Sequence, residues 1–228
     1  MQKSKLIGAG LVGAAILALT GVAAAQAQNK QCDPDCTKAC CVDGKASQKQ
    51  AGAVIGESAP DFTLVDIEGN EVTLSDYTAD GKIVVLEWFN PSCPFVAKHH
   101  DTFATMKETI AEFEGKDVVW LAINSANEGH KTGYLALNRE RQEEWKIGYP
   151  ILIDTSGEVG KAYGAKTTPH MFVIDADGIL AYAGAIDSNQ SAKKLGEENY
   201  VYNAVSALLN GETVEVSKTK SYGCSVKY

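Results

Sequence analysis

Two strongly apolar runs separated by a helical pattern constrain the fold of this chain more than any other feature. The first, residues 82–89 (KIVVLEWF), is nearly continuous in β-branched and aromatic residues, and the second is residues 118–123 (VVWLAI). Such runs predict strands that are buried on both faces of a sheet. Between them, apolar residues recur from Phe95 to Phe113 at three- and four-residue steps, which predicts a helix. This order indicates parallel pairing and an α/β fold.

The flanking segments extend this pattern into a mixed sheet. Residues 61–75 alternate between apolar and polar around Gly69-Asn70, which predicts a β-hairpin. We therefore expect a central mixed β-sheet with helices on both faces and an N-terminal hairpin extension. The remaining predicted strands are 150–154, 170–175 and 179–184, and the remaining predicted helices are 135–146, 157–163 and 192–209.

Residues 1–27 are typical of a secretory signal peptide. Two early lysines precede the apolar stretch 6–25, and Ala-Gln-Ala at 25–27 supplies a small-x-small cleavage site. The alternative is an uncleaved membrane anchor, since about 20 apolar residues can span a bilayer. The small residues favour cleavage, so we expect an exported protein in the periplasm or another extracytoplasmic compartment, with membrane contact only if the leader is retained.

The charge of the chain excludes one class of partner. The net charge is −8 over 228 residues, and it becomes −10 without the leader, which contains two lysines and no acidic residue. An acidic surface disfavours nucleic acid and anionic lipid. We therefore expect no nucleic-acid partner.

Four of the six cysteines lie in a polar segment, residues 28–56, with the spacing C-x3-C-x3-C-C. Export would place them in an oxidising compartment, where local disulfides are the plainer interpretation. Thiolates at this spacing could alternatively bind Cu(I) or Zn(II), although common zinc sites use C-x2-C pairs. The spacing does not decide the pairing. These residues are Cys32, Cys36, Cys40 and Cys41.

Cys93 follows the first buried strand and precedes a predicted helix. Pro94 suits the first helical turn, where its missing N–H costs nothing. Free N–H groups and the helix dipole at such a position stabilise a thiolate, which is the nucleophile in disulfide and peroxide chemistry. The alternative is a buried structural cysteine.

Glu87 interrupts the same strand with a carboxyl group. Burying an ionised carboxylate is costly, so the neutral form should be favoured and Glu87 could accept or donate a proton. The alternative is an edge strand with Glu87 in water. Further along the chain, Thr167-Thr168-Pro169 precedes a strand, where proline marks a turn or an edge and is occasionally cis.

Taken together, these pieces resemble the thioredoxin superfamily, specifically its AhpC/TSA-type redoxin branch. The resemblance is carried by Ala59-Pro60-Asp61-Phe62 with its hairpin, the strand–Cys–helix unit 82–96, residues 163–169, and the closing hairpin and helix. It implies a thioredoxin-like domain over residues 57–212.

The resemblance also implies roles for individual residues. Cys93 matches the attacking cysteine of thioredoxins, and Glu87, six residues earlier, matches their buried acid. Pro169 matches the family's cis-proline. Thr168 would offer backbone to a peptide substrate, so Thr168, Pro169 and Pro94 form the expected substrate-binding set.

Two departures from the family pattern narrow the chemistry. Val96 replaces the second cysteine of C-x-x-C, so the usual local disulfide cannot form. The peroxiredoxin signature would need Pro and Ser or Thr where the chain has Leu86 and Asn90. The chain is therefore similar to the peroxiredoxin-like subgroup with a single active-site cysteine, and peroxide reduction is the less favoured activity.

With Val96 in place, another thiol must resolve an intermediate on Cys93. Cys224 is one candidate, on a polar C-terminal tail (213–228) that we expect to be mobile; the alternative is a free or externally paired cysteine. His99, His100 and His170 could join Cys93 in a copper site, but packing or capping is the plainer interpretation.

The sequence thus predicts a thiol-based oxidoreductase of antioxidant type that needs no cofactor. Its expected substrates are protein or small-molecule disulfides or, less favoured, hydroperoxides, with an external thiol as reductant. The rival hypothesis is a Cu or Zn chaperone or sensor that uses the amino-terminal cysteines. A third is a redox-inactive domain that only binds partners.

Overall fold

The strand pattern of the sequence is realised as a seven-stranded mixed sheet. The computed structural model describes residues 52–228. The strands of the sheet are β1 (Thr63–Asp66), β2 (Glu71–Thr73), β3 (Ile83–Trp88), β4 (Val118–Asn124), β5 (Ile151–Ile153), β7 (Met171–Ile174) and β8 (Leu180–Gly184). They are ordered β2-β1-β5-β4-β3-β7-β8. A separate antiparallel pair joins β6 (Thr167–Thr168) to β9 (Cys224–Ser225).

Strand β3 lies in the interior of the sheet. It pairs in parallel with β4 and antiparallel with β7, and all six of its residues are buried. Val85 and Phe89 belong to the core on one face of the sheet, whereas Val84 and Leu86 belong to the core on the other. The prediction of a doubly buried strand is therefore confirmed, as are the two hairpins, which form the opposite edges of the sheet.

Six α-helices of residues 52–228 pack around the sheet. They are α1 (Leu74–Ala79), α2 (Pro94–Ala97), α3 (Thr105–Glu112), α4 (Leu135–Glu144), α5 (Glu158–Tyr163) and α6 (Tyr200–Leu209), with a 3-10 turn at Lys131–Gly133. No helix within residues 52–228 is long and apolar enough to cross a bilayer. The predicted leader and the four cysteines of segment 28–56 precede residue 52 and lie outside the described residues.

The predicted continuous helix from Phe95 to Phe113 is wrong. Helix α2 passes into a π-helical turn, Lys98–Thr102, and Ala104 then adopts a left-handed conformation (φ 53°) before α3 begins. The wider turn buries the three consecutive polar residues Lys98-His99-His100. Each of them has a polar partner in the interior. A regular helix with one apolar face could not direct all three side chains towards such partners.

The last helix is shorter than predicted. It begins at Tyr200, so the prediction is wrong over residues 192–199. Asn199 caps the helix by accepting a hydrogen bond from the Tyr202 backbone N–H. Before it, the N–H of Gly196 donates to the Asp187 carboxylate at 2.7 Å, which keeps that backbone out of a helix.

Candidate active site

Cys93 sits at the predicted turn between β3 and α2. Its backbone is extended at the N-cap position (φ −87°, ψ 122°) and Pro94 opens the helix. The side chain is 1% exposed and does not cap the helix. Instead, the thiol donates a hydrogen bond to the carbonyl oxygen of Thr168 at 2.9 Å. The structure therefore brings Cys93 to the Thr168–Pro169 bend, as the resemblance implies.

The bend itself has the expected geometry. The Thr168–Pro169 peptide bond is cis. Strand β6, which contains Thr168, pairs with β9 so that Thr168 lies opposite Cys224 and Thr167 lies opposite Ser225. The backbone edge that the resemblance assigns to a peptide substrate is thus covered by the protein's own C-terminal strand.

Cys224 lies beside Cys93. It packs against the same core cluster, and within residues 52–228 neither cysteine forms a disulfide. Burial, followed by a hydrogen bond with Cys93 and the charge of Cys93, raises the pKa of Cys224 to about 11, while Lys227 acts in the opposite direction. At neutral pH, Cys224 is therefore a protonated thiol next to Cys93.

The C-terminal tail is held in place rather than mobile. We define residues 217–228, which run across the bend, as the strap. Its backbone bonds to three separate parts of the domain, and the Tyr228 hydroxyl donates to the Ala165 carbonyl at 2.9 Å. The backbone bonds are Ala183 N–H to Ser217 O, Thr219 N–H to Ala183 O, Val226 N–H to Lys166 O and Asn127 N–H to Lys227 O.

Glu87 is buried in the core rather than exposed to solvent on an edge strand. It is 1% exposed. Nε2 of His100 lies 2.9 and 3.0 Å from its two carboxylate oxygens, and the Tyr149 hydroxyl donates to Oε2 at 2.9 Å. Burial and the neighbouring carboxylate raise the pKa of Tyr149, which keeps it a donor. Within residues 52–228, no hydrogen bond links Glu87 to Cys93. We call Glu87, His100 and Tyr149 the inner cluster.

A cavity of about 550 Å³ adjoins the inner cluster. His100 and Tyr149 line it together with apolar side chains that include Met106, Trp120 and Trp145. The His100 ring stacks on Trp145 with centroids 5.8 Å apart. The aromatic wall fixes the imidazole against Glu87.

A second buried polar cluster lies under the strap. The ammonium of Lys98, which is 0% exposed, contacts Asp187 at 2.9 Å, the Asn189 carbonyl at 2.7 Å and the Tyr222 hydroxyl at 3.0 Å. The Tyr222 hydroxyl donates to Asp187 and lies 2.9 Å from Nε2 of His99. We call Lys98, His99, Asp187 and Tyr222 the outer cluster.

The proton positions in the outer cluster follow from its donors. Because Tyr222 gives its only proton to Asp187, Nε2 of His99 must donate to the Tyr222 oxygen. Burial, reinforced by the charge of Lys98, lowers the pKa of His99 to about 3, so the ring is neutral. Its Nδ1 is buried and has no hydrogen-bond partner in the described part of the chain.

The histidines do not assemble a metal site with Cys93. Burial lowers the pKa of His170 to about 4, and its ring packs on Phe172 at 4.4 Å. Within residues 52–228, no three His, Cys, Asp or Glu side chains are grouped to hold a metal ion.

Sequence reasoning missed most partners of both clusters. Tyr149, Lys98, Asp187 and Tyr222 were not singled out. The only local signal was the run Lys98-His99-His100, since three consecutive polar residues cannot all face water on a helix that packs against a core.

The sequence model of a protein family, described as the AhpC/TSA family, matches residues 55–183. The chain belongs to the AhpC/TSA family. A relative named thiol-disulfide oxidoreductase ResA, from Bacillus thuringiensis, is 31% identical over 130 residues, which are 57% of this chain and 69% of that protein.

Two solved structures show the fold of this family member. A hypothetical protein from Sinorhizobium meliloti superposes with a TM-score of 0.66 and 28% identity over 78% of this chain and 96% of its own. A putative thioredoxin from Neisseria meningitidis superposes with a TM-score of 0.50 and 20% identity, covering 66% and 89%. The predicted superfamily and the thioredoxin-like α/β fold are confirmed.

Proposed function

We propose that this AhpC/TSA family member is a thiol-disulfide oxidoreductase in which Cys93 attacks the substrate and Cys224 resolves the intermediate. The observation that carries the proposal is that Cys93 and Cys224 both lie at Thr168. Cys93 donates to Thr168 O, and Cys224 lies opposite Thr168 in the β6–β9 pair. The name of the ResA relative supports the same class of reaction.

The proposed reaction has two exchange steps. The Cys93 thiolate attacks one sulfur of a substrate disulfide, forming a mixed disulfide, and the other substrate sulfur leaves as a thiolate that takes up a proton. Cys224 then loses its proton and attacks the Cys93 sulfur. This releases the second substrate thiol and leaves a Cys93–Cys224 disulfide. An external thiol reductant returns two electrons and two protons to the pair.

Cys224 takes the part that the second cysteine of C-x-x-C plays in thioredoxins. Its raised pKa suits this order of events, because a protonated Cys224 does not compete with Cys93 for the first attack. The resolving thiol is thus supplied by the C-terminal strap rather than by the helix that follows Cys93, where Val96 stands.

Glu87 is proposed as the acceptor of the Cys93 proton. It is buried on the side of β3 whose neighbouring residues pack with Cys93, and His100 and Tyr149 fix its carboxylate. The test is the pH profile of Cys93 alkylation in Glu87→Gln, in which the midpoint should move relative to wild type. An unchanged midpoint would remove Glu87 from the mechanism.

The amino-terminal organisation is proposed on the sequence pattern alone. We infer cleavage after residue 27, export to an extracytoplasmic compartment, and a cysteine-containing segment (28–56) ahead of a domain that spans 57–212. The tail 213–228 completes the active site. Mass measurement of the mature protein from the exporting cell tests the cleavage.

The central experiment measures insulin disulfide reduction in a background in which Cys32, Cys36, Cys40 and Cys41 are replaced by Ser. Cys93→Ser should lose activity completely. Cys224→Ser should still attack and should accumulate a mixed disulfide on Cys93, visible by mass spectrometry. Hydroperoxide consumption measured in parallel ranks the two substrate classes. Equal insulin reduction by the background protein and its Cys93→Ser variant would refute the proposed function.

A further inference from the structure

The strap covers the attacking thiol so closely that substrate cannot reach it in the observed arrangement. Cys93 is 1% exposed and its sulfur is bonded to Thr168. Next to Cys224, Gly223 passes so near that a β-carbon there would collide with the Thr168 carbonyl. A disulfide substrate therefore reaches Cys93 only after β9 leaves the Thr168 edge.

The outer cluster links the two segments that carry the thiols. Lys98 lies on the turn that continues the Cys93 helix, and Tyr222 lies two residues before Cys224. Asp187 holds both of them: its carboxylate pairs with Lys98 and accepts from Tyr222. The Tyr222 ring also packs against Phe95, with centroids 6.0 Å apart. The position of Cys224 therefore depends on an anchor at Tyr222.

The parts of this anchor differ in how easily they separate. If the strap lifts, Lys98 keeps Asp187 and the Asn189 carbonyl, so the buried ion pair stays intact. Within the outer cluster, only the hydrogen bonds of the Tyr222 hydroxyl are lost, together with the β6–β9 pairing and the packing of Tyr222 on Phe95 outside it. Breaking a buried ion pair costs more than exchanging the hydrogen bonds of one hydroxyl group for bonds to water. The strap can therefore open without unfolding the core.

We propose that Lys98, Asp187 and Tyr222 form a clasp that positions Cys224 beside Cys93 and sets how often the strap uncovers the attacking thiol. The inference rests on the proposed function, since uncovering Cys93 affects catalysis only if Cys93 is the attacking thiol. The clasp contacts themselves do not depend on that function. In the reduced protein β9 is held only by non-covalent contacts, which are the clasp, the β6–β9 pairing and the backbone hydrogen bonds of the strap. A Cys93–Cys224 disulfide adds a covalent tie and closes the site until a reductant opens it.

The test replaces Tyr222 by Phe, which removes the hydroxyl and keeps the ring. Its matched control is Tyr202→Phe on α6, since that side chain is 39% exposed and its hydroxyl makes no hydrogen bond within residues 52–228. The background again has Ser in place of the four amino-terminal cysteines. Cys93 alkylation by iodoacetamide is followed by mass spectrometry across a range of pH.

The expected result is a Cys93 alkylation rate about tenfold higher in Tyr222→Phe, with an unchanged midpoint of the pH profile and no change in Tyr202→Phe. A shifted midpoint would mean that Tyr222 acts on the ionisation of Cys93, and the clasp would be refuted. An unchanged rate would refute it as well.

A second measurement needs no variant. In the wild-type protein, hydrogen exchange of strap peptides should slow when the Cys93–Cys224 disulfide forms, while β3 peptides should not change. Equal strap exchange in both redox states would overturn the proposal. Failure of the proposed function is recognised separately, because Cys93→Ser would then match the background protein on insulin whatever the alkylation rates show.

Discussion

The inner and outer clusters arise from one π-helical turn and have opposite structural settings. His100 points into the core, where it is hydrogen-bonded to Glu87 on β3. Tyr149, just before β5, donates to the same carboxylate. Lys98 and His99 meet Tyr222, which belongs to the strap. The inner cluster therefore joins parts of the sheet to the helix layer, whereas the outer cluster joins the domain to its last residues.

This difference teaches which buried polar groups can take part in motion. The partners of the inner cluster cannot separate unless the sheet core comes apart. The outer cluster can lose Tyr222 while its ion pair survives. Buried polar networks of similar composition can thus govern global stability in one place and local opening in another.

The largest effect is expected at the inner cluster. Glu87→Leu leaves His100 and Tyr149 buried without their acceptor, so the free energy of unfolding should fall by about 3–5 kcal/mol. Guanidinium unfolding measures it, with the exposed Glu114→Leu as the matched control. A loss below about 1 kcal/mol would contradict the assignment of the inner cluster to the global core.

The next effect is a difference within the wild-type protein. Amides of the strap, such as Val226, should exchange with solvent at least about a hundredfold faster than amides of β3. The reason is that the free energy of local opening of the strap should be about 3 kcal/mol lower than the free energy of global unfolding. Residue-resolved hydrogen exchange of the reduced protein provides both rates. Equal protection would show that the strap and the core open together.

A smaller effect is expected from Gly223→Ala. The new β-carbon would meet the Thr168 carbonyl, and the backbone φ of 132° disfavours any side chain. We expect a loss of about 2 kcal/mol relative to Gly211→Ala, which also has a positive φ but open space around its β-carbon. Thermal unfolding gives the loss, and faster Cys93 alkylation should accompany it. Equal losses in both variants would show that the close approach at Gly223 contributes nothing.

The most gradual effect is a slope in the pH dependence of stability, because it is spread over more than two pH units. His170 is neutral in the folded state because burial, and then the charge of Lys166, lowers its pKa to about 4. The unfolded chain takes up that proton near pH 6.5, so this contribution is complete above pH 6.5 and is lost as the pH falls to 4. The loss is roughly 1 kcal/mol per pH unit in that window. Urea unfolding of His170→Asn should show a slope shallower than wild type by this amount; identical slopes would disprove it.

The sequence predicted the parts of the molecule that depend on local pattern. The β3 and β4 runs, both hairpins and the Cys93-Pro94 turn follow from residue type and spacing. The family resemblance added the cis-proline and the proximity of Thr168 to the thiol. These features arise from neighbours in the chain or from a fold already known.

The remaining features depend on contacts between distant residues. Apolar periodicity predicted one helix to Phe113, because it averages over the π turn that buries Lys98 and His100. Nothing near Tyr222 indicates that its hydroxyl meets Asp187, and nothing near Cys224 indicates that it pairs opposite Thr168. Polar composition alone predicts a mobile tail, because the distant residues that hold the tail in place are not visible in the sequence.

The carbonyl of Thr168 has a consequence for observing the enzyme at work. It accepts the Cys93 S–H in the reduced protein, and that donor ceases to exist once the sulfur is bonded to another sulfur. A C=O bond stretches at higher frequency when it loses a hydrogen bond. An isotopic label on this single carbonyl would therefore give an infrared band that follows each turnover, without a dye or a substrate chromophore.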